Sequence, residues 1–81
     1  MKLTENERKV FLAMEPGYDY LEVIVVGFPG SPGQSGLPEH EASAALKSLK
    51  KKGLIVREGR GRFRQCGLSD EGERIYEEVA A

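Results

Sequence analysis

ALKSLKKKGLIVREGRGRFRQCGLSDEGERIYEEV, Ala45 to Val79, changes its hydrophobic rhythm three times within one run. Its start continues a pattern from upstream, in which Ala42, Ala45, Leu46 and Leu49 fall at i, i+3, i+4 and i+7 and define one apolar helical stripe. Pro38 suits the first turn of such a helix, Glu39 and Glu41 complement the positive end of its dipole, and Gly53 is a C-terminal stop. The spacing therefore predicts a helix over 38–52, with His40, Ser43, Ala44, Lys47, Lys50 and Lys51 on its opposite face. LIVRE (54–58) then reads as a strand, GRG (59–61) as a turn and RFRQCGL (62–68) as the returning strand. Ser69 is placed to cap a last helix whose first turn holds Asp70 and Glu71 and whose Ile75, Tyr76 and Val79 face inward.

Upstream, Thr4 and Glu7 have the spacing of a capping box, and Leu3, Val10, Phe11 and Met14 share one helical face. A first helix over about 4–15 follows, stopped by Pro16 and Gly17. Asp19 and Glu22 repeat the capping offset, and Leu21, Ile24, Val25 and Phe28 are spaced as a helical face, which gives a short second helix over about 20–27. A strand is the rival there, because Val23, Ile24, Val25 and Val26 are all β-branched. The whole is an α+β pattern of three helices, a hairpin and a fourth helix in one small domain, 1–81.

Between the second and third helices lies a Gly/Pro-rich stretch, 28–36, within VIVVGFPGSPGQSGL (23–37). A strand running into glycines suggests a phosphate-binding loop, but the spacing from Gly27 to Gly33 is one residue too long. Gln34 stands where that loop needs its lysine, and Pro29 and Pro32 remove N–H donors that would cradle phosphate. The composition instead describes an enlarged connection, mobile or else functional, for instance as the contact for a protein partner.

Composition narrows the chemistry. Cys66 is alone, which excludes an internal disulfide and makes a buried thiol its default state. His40 is the one histidine, so neither a Cys/His zinc site nor a nucleophile–base pair is visible, and no enzyme, metal or cofactor is expected. No apolar run reaches the length of about 18 residues that a membrane span requires, and MKLTENERKV lacks a signal peptide's apolar core, so a cytoplasmic protein is expected. The net charge of −1 conceals a strong asymmetry. Residues 1–46 carry −4 and residues 65–81 carry −4, whereas 47–64 carry +7, with eight cations against Glu58 alone. Charge so concentrated creates a local field suited to an anionic partner.

In order and spacing, Leu46, Leu49, Gly53, Leu54 and Ile55, then the arginine-rich hairpin, then Leu68, Ser69 and Gly72 resemble the winged helix-turn-helix of MarR-like and PadR-like bacterial and archaeal transcription regulators. LTENERKVFLAM (3–14) is similar to the family's first helix, and the resemblance covers most of the chain outside 28–35. It implies a three-helix core, a two- or three-stranded β-wing and a C-terminal helix, with 28–36 as an enlargement of the turn ahead of the recognition helix. It also implies binding to double-stranded DNA by the helix 38–52 and an arginine-rich wing, 57–64. On this reading His40, Ser43 and Ala44 face base edges in the major groove, and Lys47, Lys50 and Lys51 lie nearer the phosphates. Arg60 at the hairpin tip, with Arg57, Arg62 and Arg64, serves as the wing, where a narrow minor groove attracts arginine. Homodimerisation through Tyr76 and Val79 stays open. So does a different class of function, a winged-helix protein-interaction module that binds no DNA, to which the acidic Glu39 and Glu41 and the enlarged turn point. RNA binding by the same basic surface is a weaker third reading, because aromatic stacking platforms are not evident from six Phe and Tyr residues.

Overall fold

The capping box forms as its spacing predicts. In the computed structural model, which describes residues 2–81, the Glu7 amide donates to Thr4 Oγ1 (3.1 Å) and the Thr4 amide donates to Glu7 Oε1 (2.8 Å). This opens α1 (Glu5–Leu12), which buries Val10 and Phe11. The helix ends three residues before the expected Glu15, because Ala13 and Met14 tighten into i→i−3 bonds to Val10 and Phe11 ahead of Pro16. Met14 remains fully buried.

The segment expected as one helix over 20–27, with a strand as rival, is divided between both. Asp19–Leu21 is a strand, β1, and Glu22–Val26 is a one-turn helix, α2. Tyr20 and Leu21 are drawn into the sheet opposite Cys66 and Gln65. The expected cap by Asp19 does not form, since Leu21 occupies the cap position and no side chain caps the helix.

The Gly/Pro stretch, where composition suggests a mobile connection, is folded. Gly27–Phe28 (β2) and Ser31–Pro32 (β3) form a two-stranded hairpin across Pro29-Gly30. Proline first and glycine second at the centre, with Gly30 at φ 81°, is the chemistry of a type II turn. The chain then returns to α2, where the Gln34 and Ser35 amides donate to the Ile24 and Val25 carbonyls left over at its end. That approach is possible only for glycine, because a Cβ on Gly33 would stand 2.5 Å from the Ile24 carbonyl oxygen. Leu37 then enters the core and anchors the end of the loop.

Helix α3 (Glu39–Lys51) buries Ala42, Ala45, Leu46 and Leu49, the stripe that the sequence predicts. Each fully buried leucine there contributes about 1.5–3 kcal/mol. A Schellman motif closes it, with the Gly53 amide donating to the Lys50 carbonyl and the Leu54 amide to that of Leu49. The chain continues into β4 (Ile55–Glu58), a 3₁₀ turn (Gly61–Phe63), β5 (Gln65–Leu68) and α4 (Asp70–Ala80). The returning strand expected from Arg62 thus begins at Gln65, because residues 61–63 coil into the 3₁₀ turn with Arg64 N bonded to Gly61 O.

The three strands form one antiparallel sheet ordered β1-β5-β4, which with four helices makes an α+β fold. Ser69 caps α4 by accepting from the Gly72 amide (3.0 Å) and donates to the Gly53 carbonyl (2.7 Å), which fixes α4 to the end of α3. Gly72 explains the Leu-Ser-x-x-Gly spacing: a Cβ there would stand 2.2 Å from the Leu54 carbonyl oxygen. Phe11 and Tyr76 stack at a centroid distance of 5.9 Å, and Ile75 and Val79 also pack on the core.

Candidate functional site

Helix α3 lays its apolar stripe on α1 and α2, which leaves the other face outward. His40, Ala44, Lys47 and Lys51 are exposed along that face at successive helical turns, with Ser43 half-buried and Lys50 exposed beside them. Glu41 turns toward α1, where its carboxylate accepts from Asn6 Nδ2 (3.4 Å).

The C-terminal half of this face is one wall of a cleft of about 680 Å3 lined by Lys47, Ser48, Lys50, Lys51 and Arg57. A smaller cleft of about 190 Å3, lined by Lys50, Arg57, Gly59 and Arg64, continues it under the β4–β5 hairpin. Lys50 and Arg57 belong to both, so helix and hairpin border one open basic groove. Arg60 is exposed in the hairpin turn, and Arg62 is exposed on the 3₁₀ turn.

Eight cations lie in 47–64, and two of them are neutralised by distant acids. Arg57 donates from Nε and Nη2 to Glu22 of α2 at 2.9 and 2.8 Å, a bidentate pair with side chains only 13% and 15% exposed. Arg57 therefore fastens the hairpin to α2, while it still lines the groove. Lys52 donates to Glu7 at 2.8 Å, and Ser48 donates to the same carboxylate. Burial by itself would push the Glu7 carboxyl up; the hydrogen bonds from Lys52, Ser48 and the Thr4 amide, with the Lys52 charge, outweigh it and hold the group down at about 2. Among the described residues, Lys47, Lys50, Lys51, Arg60, Arg62 and Arg64 have no acidic partner within salt-bridge distance.

Cys66 is buried in β5, as its default reading predicts. Burial pushes its thiol up to about 12, with the Glu22 carboxylate adding to the shift and Arg57 opposing it. A thiol so protonated at neutral pH is no nucleophile. Among the described residues no three His, Cys, Asp or Glu side chains gather where they could share a metal ion, and no helix is long and apolar enough to cross a membrane.

Residue-level reading of the sequence misses two features of this surface. One is the capture of Lys52 and Arg57 by acids 45 and 35 residues away, for which no local signal exists. The other is aromatic: Phe28 and Phe63 are 61% and 73% exposed. With Leu21, Val23 and Arg62 they line a largely apolar cleft of about 410 Å3 between the β2–β3 hairpin and the 3₁₀ turn. No family model, curated protein or solved structure significantly matches the chain.

Proposed function

We propose that this protein is a winged-helix DNA-binding domain of the MarR-like and PadR-like kind, a small non-enzymatic transcription regulator of the prokaryotic cytoplasm, with α3 as recognition helix and the β4–β5 hairpin as wing. The observation that carries the reading is the basic groove between those two elements, in which Lys47, Lys50, Lys51 and Arg64 stand without an acidic partner among the described residues. Cations held open along a groove suit a regular polyanion, whose condensed counterions are released on binding. His40, Ser43 and Ala44, one and two turns ahead of the lysines, are then in position to meet base edges. Arg60 and Arg62 extend the positive surface along the wing.

Titration of labelled duplex DNA over a range of salt concentrations tests this. Binding should weaken steeply with salt, and the combined Lys47→Ala, Lys50→Ala and Lys51→Ala variant should flatten the log–log slope by about 0.9 for each phosphate no longer neutralised. A slope unchanged by the three substitutions would remove the groove from DNA binding. The second reading, a winged-helix module for a protein partner, is favoured by the apolar cleft at Phe28 and Phe63. Silence of residues 40–52 and of the β4–β5 hairpin in amide spectra on addition of duplex at low salt would favour it.

A further inference from the structure

The 3₁₀ turn divides three consecutive residues between two clefts. Arg62 and Phe63 line the apolar cleft, whereas Arg64 lines the basic groove, and the Arg64 carbonyl accepts from the Glu22 amide at 2.8 Å to fix the strap between them. The two surfaces therefore adjoin across a short, fastened segment. A polyanion that follows the groove past Arg64 would come to the segment that carries Phe63.

The exposed Phe28 and Phe63 rings are costly to leave in water, since burial of a large apolar side chain is favourable. Phe28 is displayed at the tight Pro29-Gly30 turn of a hairpin that is itself bonded to α2, and Phe63 on a 3₁₀ turn flanked by arginines. Leu21 and Val23 line the space with them, and among the described residues Arg62 is the one charged side chain that lines it. The combination of aromatic rings, an unpaired guanidinium and an adjacent basic track is the chemistry that accepts unstacked nucleobases: bases stack on the rings and the guanidinium while phosphates follow the cations. An apolar protein segment would use the apolar lining but would leave Arg62, and the groove beyond it, without a role.

We infer that Phe28, Phe63 and Arg62 form a base-stacking platform beside the basic groove, so that the preferred ligand is DNA in which a duplex adjoins unpaired bases. The inference rests on the proposed duplex binding, with the groove holding the paired part and the platform the unpaired part. Each stacked base should tighten binding roughly 5- to 150-fold, in line with the range found for aromatic stacking.

The test compares two probes with the full chain: a blunt duplex, and the same duplex extended by a short single-stranded tail, each titrated by fluorescence anisotropy at fixed salt. The wild type should bind the tailed probe at least several-fold more tightly. The Phe28→Ala and Phe63→Ala double variant should lose that preference while keeping its affinity for the blunt duplex, and Phe63→Trp should retain it. Both rings are largely exposed, so thermal melting should show the variants folded. Blunt-duplex binding with no tail preference in the wild type overturns the platform alone. A preference that survives in the double variant also overturns it and leaves the cleft to a protein partner. Failure to bind either probe at low salt overturns the duplex reading itself.

Discussion

Two sets of cations lie along the C-terminal half of α3 and the hairpin, and the fold treats them in opposite ways. Lys52 and Arg57 are drawn to Glu7 and Glu22 and spend their charge within the protein. Lys47, Lys50, Lys51 and Arg64 line the groove with no acid within salt-bridge distance among the described residues. The difference lies in direction around the helix. Lys52 projects to the side of α3 that meets the start of α1, where Glu7 is only 4% exposed and cannot stay charged without donors. Lys47, Lys50 and Lys51 project the other way. The same residue type in one lysine run thus holds α1 to α3 at one position and leaves an open positive surface at the two before it.

Breaking the first set at its acid should have the largest effect. Glu7 closes the capping box, accepts from Ser48 and pairs with Lys52. Glu7→Ala removes all three interactions and should lower stability by on the order of 3 kcal/mol, read as the shift in urea midpoint. The same contacts should show as a pH dependence of stability. Held at about 2 against an ordinary 4.5, the Glu7 carboxyl contributes stability that is fully present above about pH 4.5 and lost as pH falls through about 2. That difference corresponds to about 3 kcal/mol. The Glu71 carboxyl is lowered in the same direction by its hydrogen bond from Arg74, but that pair lies on the surface and should be screened in high salt. Acid denaturation in high salt should therefore be flatter in Glu7→Ala than in the wild type; parallel curves would contradict the linkage.

Arg57→Ala ranks next. It strips Glu22 of both donors in a pair that is mostly buried, and should cost about 1–3 kcal/mol, less than a fully enclosed pair because some water reaches it. It should also loosen the hairpin from α2, visible as faster amide exchange in residues 55–68. A stability loss below about 0.5 kcal/mol would place Arg57 with the open cations instead.

How far this division could be read in advance depends on the range of each interaction. The Thr4 and Ser69 caps, the Ala42–Leu49 stripe, the Gly53 stop and the β4–β5 hairpin are fixed by residues a few positions apart, and all are legible in the sequence. Phe28-Pro29-Gly30-Ser31 also carries a local type II turn signal, but the surrounding glycines and prolines conceal it as a generic loop. What local spacing lacks is the pairing of Leu21 with Gln65 across the sheet, which splits the expected second helix. The partners of Lys52 and Arg57 are hidden for the same reason. In the sequence all eight cations of 47–64 count equally toward an anionic partner; in the fold six remain without an acidic partner among the described residues.

The smallest effect, and the sharpest test of the contrast, compares neighbours. Lys51 is exposed with no acid at salt-bridge distance among the described residues, so Lys51→Ala should leave stability within about 0.5 kcal/mol of wild type. If the groove holds phosphate, the same change should still weaken duplex binding and lower the salt slope by up to about 0.9. Lys52→Ala should do the reverse. It leaves a buried carboxylate with only Ser48 and the Thr4 amide as donors, so stability should fall, while the salt slope stays as it was because the Lys52 charge was already matched inside the protein. Equal effects of the two substitutions on either measurement would mean that the groove and the α1–α3 junction are not separate in function.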